Sequence, residues 1–579
     1  MRNFILLVSL LILLFLGNGY SFNQSPGGNV IAKYDKDRTV TIEELNQYVK
    51  DWLYYKKFRE RADIYNNALN DLLVNQFKRI DFFEKGLDKD KELIKSISRI
   101  INEELVSEYF ETQYLGKYAN EESAKKAYGV MDKEVVYRAI ELNKPSNATQ
   151  KQLDSLKEIA LEIKSKIDNG EDFDTLLKNF SQNKTSLMNN GYMPPIDWKQ
   201  SQLNLFGNAI FSLDKNDIRV LNSDNSFMIV KVTDINKISL EPFDSIKTEI
   251  ISDLKKSYAN TSIQEYEKEI KGLIDENKLK WDSVAVQQIV EWSNISNFYK
   301  GEYRQIINTA LEKDENKIIL TYEKGTIDYN EFLRLLDNIL VMGDPKDANE
   351  KDIKKFILEA LRTDFIVKKA ESLGLKKNIF NPFTTNPALK TQIAFLYNQT
   401  QIEAKIPEAT DEALHEFFNV NEDTLYYQLE KRNFFVMVFT TKTEAEKAAS
   451  KIKDGAPFEK VTGSYLVKTY IKDRNGEIKS FINNEKPTFS KVGFEMKESE
   501  VSNIISFEDE SGQIKFAIIK CYHILPEKQL TYDDVRNSIT EDFKNYHRNV
   551  IAKEVEERLK TKYKPVINEE VLAKLISLK

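Results

Sequence analysis

The side chains best suited to catalysis are few in this sequence, and none of them forms a recognisable catalytic pair. The 579 residues include three histidines and one cysteine: His415, His523, His547 and Cys521. His415 and Glu416 begin like the helical zinc motif of metalloproteases, but Asn419 stands where the second histidine ligand would be needed. A surface helix is the simpler interpretation of this segment.

Motifs for bound ions and nucleotides are also absent or incomplete. Asp473, Asn475 and Gly476 are similar to the start of a calcium loop, but the twelve-residue ligand spacing fails and a hairpin turn accounts for them. The sequence contains no phosphate-binding glycine loop and no G-x-S-x-G motif. We therefore expect no metal, no cofactor and no nucleotide, so that any activity would be independent of ATP.

Length and charge limit the classes of function further. A chain of 579 residues with 41% hydrophobic side chains can form several cores. With 91 acidic and 84 basic residues, the net charge is -7. This balance gives no cationic field for a nucleic-acid backbone, so we expect no nucleic-acid partner. A single cysteine allows no intrachain disulfide.

The N-terminus has the pattern of an export signal. Arg2 precedes an apolar run from Phe4 to Leu16, and small residues follow up to Ser21. This run of thirteen residues, of which twelve are apolar and one is Ser9, is short for a membrane span, so we interpret residues 1–21 as a cleaved signal peptide. The alternative is an uncleaved N-terminal anchor. No later stretch has membrane-spanning length, and we expect a mature chain that does not span the membrane and resides in the periplasm.

The two halves of the sequence resemble each other in the same order of segments. Residues 30–45 (VIAKYDKDRTVTIEEL) match residues 318–332 (IILTYEKGTIDYNEF), and each segment has an N-cap signature, Thr41 with Glu44 and Asp328 with Glu331. Including this one, seven such matches occur in the same order, at separations of about 283 to 290 residues. The pattern favours a tandem duplication.

Each half has the same three parts. A mainly helical stretch comes first, a mixed stretch of strands and helices follows, and a long amphipathic helix closes the half. In the mixed stretch of the first half, one helix ends at Asn169-Gly170, the pair that a left-handed C-cap requires. Its apolar face is predicted from helical spacing: Leu153, Leu156, Ile159, Ile163 and Ile167.

The order of motifs in this mixed stretch resembles a parvulin domain. The motifs occur in the following order over about residues 134–235: a strand, a helix ending in glycine, D-F-x-x-L, F-S, a glycine, F-x-x-A-x-F-S-L and the strand FMIVKV. The flanking segments are similar to the chaperone module of the SurA/PrsA foldases. A second, weaker parvulin-like region, about 432–523, lacks the usual glycine-rich loop.

The resemblance implies an α+β fold of two tandem units, each a helical chaperone module with an inserted parvulin-like α/β domain. The implied divisions, after the signal peptide, are a first helical module at 25–130, parvulin-like domain 1 at 131–235, a closing helix at 236–290, a second helical module at 291–425, parvulin-like domain 2 at 426–525, and a closing helix with tail at 526–579.

The family's isomerase site is only partly retained. Parvulins carry a histidine in the first strand, another in the last strand, a Cys or Asp after F-S, and a pocket aromatic. The resemblance places Arg138 or its neighbour at the first histidine, Asn183 at the Cys or Asp, Phe206 at the aromatic and Met228 at the second histidine. His523 lies just beyond the last strand of the second region and does not match.

Loss of the histidines weakens an enzymatic interpretation without removing it. Rotation about an X-Pro bond crosses a barrier of about 18–20 kcal/mol, and it needs no nucleophile or cofactor, only a pocket that holds the twisted amide out of water. Phe206 and Met228 could line such a pocket, although ordinary core packing is the favoured interpretation of both.

Three functional hypotheses follow. The leading one is an exported ATP-independent chaperone whose helical modules bind unfolded or nascent exported proteins, including outer-membrane proteins. The second is an active peptidyl-prolyl isomerase with a histidine-free site in the first half. The third is a scaffold for a dedicated secretion or envelope partner.

Two helices rich in Tyr and Phe are candidates for the client-binding surface. They are residues 51–58 (DWLYYKKF) and 107–115 (SEYFETQYL). Apolar helix faces usually bury against one another, so a core stripe is the alternative interpretation of both.

Overall fold

The computed structural model describes residues 29–35, 38–51, 54, 60–203, 206–295, 302–312, 316–338, 349–461, 466–472, 478–480, 488–509 and 512–577. The predicted signal peptide, most of the aromatic segment 51–58 and the turn at 473–477 lie outside the described residues. The chain divides into two compact units, Met1–Leu396 with Tyr563–Lys579, and Tyr397–Lys562. Among the helices that the structure describes, none combines the length and the apolar character needed to cross a membrane.

Helices dominate the chain. Those of the first unit, with the two that cross its boundary, are Ile42–Asp51, Arg61–Glu84, Lys91–Lys95, Ser98–Phe110, Gly116–Tyr118, Glu121–Tyr128, Gln150–Asp168, Phe173–Phe180, Lys184–Met188, Trp198–Leu203, Gly207–Phe211, Phe243–Gly272, Ser283–Ser293, Tyr303–Glu312, Tyr329–Asn338, Glu350–Ser372, Lys376–Ile379, Pro387–Gln401, Ile539–Tyr563 and Glu569–Ser577. Those of the second unit are Asp411–Asn421, Lys442–Lys453, Phe458–Val461, Thr488–Glu495 and Tyr532–Val535.

Sixteen strands within the described residues form five antiparallel sheets. They are β1 Val30–Tyr34, β2 Arg38–Thr41, β3 Lys133–Asn143, β4 Ile218–Asn222, β5 Ser226–Lys237, β6 Lys280–Trp281, β7 Ile318–Tyr322, β8 Gly325–Asp328, β9 Tyr427–Gln428, β10 Lys431–Phe439, β11 Leu466–Lys472, β12 Ile478–Ser480, β13 Ile505–Glu508, β14 Ile514–Leu525, β15 Lys528–Gln529 and β16 Val566–Ile567. The mixture of helices with antiparallel sheets is an α+β fold, as the sequence predicts.

The N-cap signatures predicted in both halves are present. The backbone N–H of Thr41 donates to Oε2 of Glu44 at 2.8 Å, and the backbone N–H of Glu44 donates to Oγ1 of Thr41 at 3.2 Å. In the second half, the backbone N–H of Glu331 donates to Oδ1 of Asp328 at 2.8 Å. These bonds satisfy amide groups at the helix start, and they fix where each β-hairpin passes into its helix.

The two small sheets of the first unit have matching strand orders, β16-β1-β2 and β6-β7-β8. In each sheet, the short strand that follows a closing helix pairs with the opening strand of the other half of the sequence. Ala32 of β1 pairs with Ile567 of β16, and Trp281 of β6 pairs with Leu320 of β7. The halves therefore exchange their closing strands.

The parvulin-like part of the first unit is built on the sheet β3-β5-β4, with residues 191–196 running beside the free edge of β3. The helix Gln150–Asp168 packs on one face through Ala160, Ile163 and Ile167. Ile159, expected on that face, is 38% exposed. At about 100° per residue, Ile163, Ile167 and Ala160 span an arc of about 60°, and Ile159 lies outside this arc, about 40° beyond Ile163.

The second unit contains the five-stranded sheet β12-β11-β10-β14-β13 and the pair β15-β9. Its long central pair has the same irregularity as the central pair of the first sheet. The register shifts between Val136 and Tyr137 along β3, and between Asn433 and Phe434 along β10. The hairpin β11–β12 occupies the side of β10 that corresponds to residues 191–196 beside β3.

One of the two predicted aromatic surfaces is part of the core. Within residues 107–115, the apolar side chains are buried: Tyr109, Phe110, Tyr114 and Leu115. The Tyr266 ring lies 5.4 Å from the rings of both Phe110 and Tyr114, measured between centroids. The alternative interpretation of this segment, a core stripe, is correct.

Candidate functional site

Alternation along the strands decides which predicted site residues share a face of the first parvulin-like sheet. Met228 on β5 pairs directly with Glu141 on β3, so their side chains project to the same side. Tyr137 and Ala139 lie on that side and pack in one core cluster with Val230. Glu141 was not singled out in the sequence, although the two-residue period counted from Met228 would have identified it.

Arg138 lies on the opposite face. Its Nε donates to the carbonyl oxygen of Asn190 at 2.7 Å, and its guanidinium forms an ion pair with Asp174. The guanidinium carbon is 4.3 Å from the ring centroid of Phe173 and 5.3 Å from that of Tyr192. These contacts join the turn at 190–192 to a helix, and they direct Arg138 away from Met228.

Asn183 lies on the same side as Met228 and begins the helix Lys184–Met188. Its Oδ1 accepts the backbone N–H of Ser186 at 3.0 Å, and its Nδ2 donates to Oε2 of Glu141 at 2.6 Å. The hydroxyl of Ser226 donates to Oε1 of the same carboxylate at 2.7 Å. The three side chains form a polar cluster, Asn183–Glu141–Ser226, at the end of the sheet.

Phe206 and Met228 are both partly buried and pack against the core cluster on this face. Phe206 precedes the helix Gly207–Phe211, and Gly207 is packed closely against the helix before it. A Cβ at Gly207 would lie 2.5 Å from the backbone oxygen of Ser201. The position of Phe206 is therefore set by a contact between two backbone segments that tolerates no side chain.

The arrangement combines two apolar side chains, Phe206 and Met228, with a carboxylate bonded to an amide and a hydroxyl. Burial raises the pKa of Tyr137, on the same face of the sheet, so that its phenol stays neutral. Such a face can pack against an apolar ring and offer hydrogen-bond partners, which is what rotation of an X-Pro amide requires. Within the described residues, no three His, Cys, Asp or Glu side chains come together as a metal-ligand group.

The corresponding positions of the second sheet are more apolar. Val438 of β10 pairs with Ala517 of β14, and this pair occupies the position in the second sheet that Glu141 of β3 and Met228 of β5 occupy in the first. Phe489, which matches Phe206, is buried against Phe507 with a centroid distance of 4.9 Å. Burial also raises the pKa of the Cys521 thiol. The polar cluster of the first sheet has no counterpart at these positions.

Replacing Glu141 with glutamine should loosen the polar cluster. The carboxylate accepts from two neutral donors, whereas the amide of glutamine would point a donor at one of them, at a cost of about 1–3 kcal/mol. We expect faster amide hydrogen exchange in residues 183–188. The exposed Glu158 is the control, and equal exchange in Glu141→Gln and Glu158→Gln would show that the cluster does not hold this segment.

Residues 117–236 match the family model described as "PPIC-type PPIASE domain". The chain is 24% identical over 257 residues to the foldase protein PrsA of Clostridium tetani. The matched region covers 41% of this chain and 73% of PrsA. It is 23% identical over 327 residues to the periplasmic chaperone PpiD of Buchnera aphidicola. This match covers 47% of this chain and 51% of PpiD. The chain is thus similar to parvulin-type foldases and chaperones of the SurA/PrsA kind.

Parts of the chain also have limited similarity to solved structures. One comes from the study of PEB4 and Cj1289, two structurally related SurA-like chaperones of Campylobacter jejuni. The match covers 42% of this chain and 98% of the solved chain, at 17% identity and a TM-score of 0.23. Another is the peptidylprolyl isomerase PrsA of Bacillus anthracis, at 20% identity and a TM-score of 0.20, covering 39% of this chain and 94% of that one.

Proposed function

We propose that this protein is an exported, ATP-independent chaperone that binds unfolded envelope or secreted polypeptides in the periplasm. The observation that carries the proposal is the similarity of 41% of the chain to a foldase, supported by the similarity to a periplasmic chaperone. Outer-membrane proteins are the clients we expect first, because their unfolded chains are rich in aromatic residues. Release would occur by simple equilibrium at moderate affinity, in keeping with a sequence in which no phosphate-binding glycine loop is recognisable.

The helical part of the first unit is the proposed client-binding region. Large apolar side chains remain exposed there, among them Phe383 at 45% and Phe395 at 51%. Exposed aromatic rings lose little conformational entropy when they are covered, so they suit a surface that binds many unfolded sequences. They replace residues 107–115, whose apolar side chains are buried, as the candidate contacts.

Suppression of aggregation tests the chaperone proposal. The full chain should keep an unfolded outer-membrane protein soluble at near-stoichiometric ratio. Phe383→Ala combined with Phe395→Ala should weaken client binding about tenfold, because two apolar anchors are removed. The control is Ile514→Ala, at an exposed apolar position of the second unit. No suppression by the unmodified chain would refute the function, and an equal loss in the control would refute the proposed surface.

A second candidate function is peptidyl-prolyl isomerisation by the first parvulin-like domain. The placement of Phe206, Met228 and the cluster Asn183–Glu141–Ser226 on one side of the sheet favours it. If the site is active, the purified chain accelerates isomerisation of a short X-Pro peptide, and Phe206→Ala removes most of that acceleration. Tyr192→Ala, on the opposite face, should leave the rate unchanged. No acceleration by the unmodified chain would refute the isomerase function.

We also propose that the chain arose by tandem duplication of one module. The matching sheet orders, the register shift shared by β3/β5 and β10/β14, and the paired N-caps support this history. The modules predicted at 25–290 and 291–579 would then be linked by their exchanged strands. A scaffold for one dedicated envelope partner remains the alternative function, and it requires binding to one protein instead of a broad range of clients.

A further inference from the structure

The strand β16 is held on β1 through backbone atoms more than through side chains. The backbone N–H of Asn568 donates to the oxygen of Ile31 at 2.8 Å, and the N–H of Asp35 donates to the oxygen of Tyr563 at 3.0 Å. Between these bonds, the two side chains of β16 are 67% and 37% exposed. Backbone pairing is indifferent to most side chains, so this edge of β1 recognises an extended chain and not a particular sequence.

The connection into β16 is strained. Lys564, between Tyr563 and β16, has a φ of +46°, in the left-handed region that is unfavourable for residues with a Cβ. The next residue, Pro565, restricts Lys564 further, because the proline ring favours an extended conformation in the residue before it. Undocking of β16 frees Lys564 to leave this conformation, so the strain favours release of the strand.

Beyond β16, the tail (residues 564–577) has two apolar anchors. Leu572 and Leu575, on the helix that follows β16, are each 4% exposed, and this helix lies against β1 and the helix Arg61–Glu84. The Nη2 of Arg61 donates to the carbonyl oxygen of Leu575 at 3.3 Å. The tail therefore occupies a backbone edge followed by a small apolar site, which suits an extended polypeptide segment with apolar side chains.

The sheet β6-β7-β8 has the same kind of edge, held more firmly. The backbone N–H of Asp282, which follows β6, donates to the oxygen of Ile319 at 3.0 Å, a bond like that of Asn568. No residue from 273 to 279, the described connection into β6, has a positive φ. The helix that follows β6 buries four apolar side chains instead of two: Ala285, Val286, Ile289 and Val290. We therefore expect β6 to stay docked under conditions that release β16.

We infer that the edge of β1 is a strand-addition site for an extended segment of an unfolded polypeptide, and that the tail is its displaceable occupant. The inference rests on the proposed chaperone function, and it states where and how a client binds. Unfolded outer-membrane proteins suit this edge, because their strand segments of about ten residues alternate apolar and polar side chains and pair through the backbone. Competition with the tail keeps the affinity moderate, as release without ATP requires.

A reversible lock tests this exchange of strands in the full chain. Lys33→Cys with Val566→Cys, at positions that pair across β1 and β16, joins the strands by a disulfide under oxidation. The probe is a labelled outer-membrane protein unfolded in urea, and we expect the oxidised lock to bind it about tenfold more weakly than the reduced form. The matched control is Lys280→Cys with Thr321→Cys, across β6 and β7, which should bind equally in both redox states. The native Cys521 is buried and present in every variant.

A second variant, Leu572→Ala, reverses the expected sign. It weakens an anchor of the tail, so it should tighten client binding severalfold, whereas a tail with only a structural role would leave binding unchanged or weaker.

A labelled peptide copying residues 564–577 tests the edge without a client. It should bind the Leu572→Ala chain and not the oxidised lock. Binding of this peptide without binding of the outer-membrane protein would refute the proposed chaperone function and retain the strand-addition site. The inference is overturned if the peptide does not bind, if the oxidised lock binds the client as its reduced form does, or if Leu572→Ala fails to tighten client binding.

Discussion

Substitution of Gly207 by alanine is expected to destabilise the first parvulin-like domain by about 3 kcal/mol. The new Cβ would lie 2.5 Å from the backbone oxygen of Ser201 and 2.6 Å from its Cα. A backbone segment cannot move aside as the end of a flexible side chain can. The helix Gly207–Phe211 must therefore shift, and Phe206, Ile210 and Phe211 lose their packing with it. The measurement is urea-induced unfolding followed by hydrogen exchange of residues 206–213.

The matched control for this prediction is Gly272→Ala, at the end of the helix Phe243–Gly272. A Cβ there meets no atom within 4 Å, and the backbone is not left-handed. Alanine has the higher helix propensity, so we expect no loss of stability and a gain of up to about 1 kcal/mol. Similar losses in both variants would contradict the proposed contact between Gly207 and Ser201.

Deletion of residues 564–579 should have a second large effect, at the other end of the sequence. It removes β16, the bond from the backbone N–H of Asn568 to the oxygen of Ile31 at 2.8 Å, and the buried Leu572 and Leu575. Loss of each leucine alone is expected to cost about 2–5 kcal/mol. The remaining hairpin β1–β2 has only two strands, which are marginal by themselves.

Hydrogen exchange gives this prediction an internal control. Amides of β1 should exchange much faster in the shortened chain, whereas amides of β7 should be unchanged, because β7 is completed by β6, which is retained. Unchanged protection of β1 would mean that the tail adds nothing to the first sheet. Equal acceleration in β7 would mean that the deletion unfolds the whole unit instead of one sheet.

Local signals in the sequence predict much of this fold. The N-caps at Thr41 and Asp328, the helix that ends at Gly170 and the strands around residues 134–142 and 227–232 follow from capping residues and alternation, which act within a few residues. Ile159 is the exception, because the sheet that the helix covers, and not the spacing alone, decides which side chains are buried.

The candidate site is predicted less completely. Asn183, Phe206 and Met228 lie on one side of the sheet, but Arg138 lies on the other, because the match to the first histidine was uncertain by one residue and a shift of one residue changes the face. Glu141 becomes visible only from the register of β3 with β5. The assignment of these residues to a proline pocket stays a prediction.

Long-range features could not be predicted from sequence patterns. β6 and β16 have two residues each, which is too short for any periodicity to indicate a strand or its partner.

The pairing of β1 with β16 also sets an order of events during synthesis. A nascent chain begins with its N-terminal residues, yet Ala32 finds its partner Ile567 only after more than five hundred further residues have been made. At about 5–20 residues per second, the first hairpin waits roughly half a minute or longer for its third strand. Contacts of such separation also form slowly, because a very long loop must close. Export of the chain before this closure would carry an incomplete first sheet across the membrane, and the sheet would be finished only on the far side.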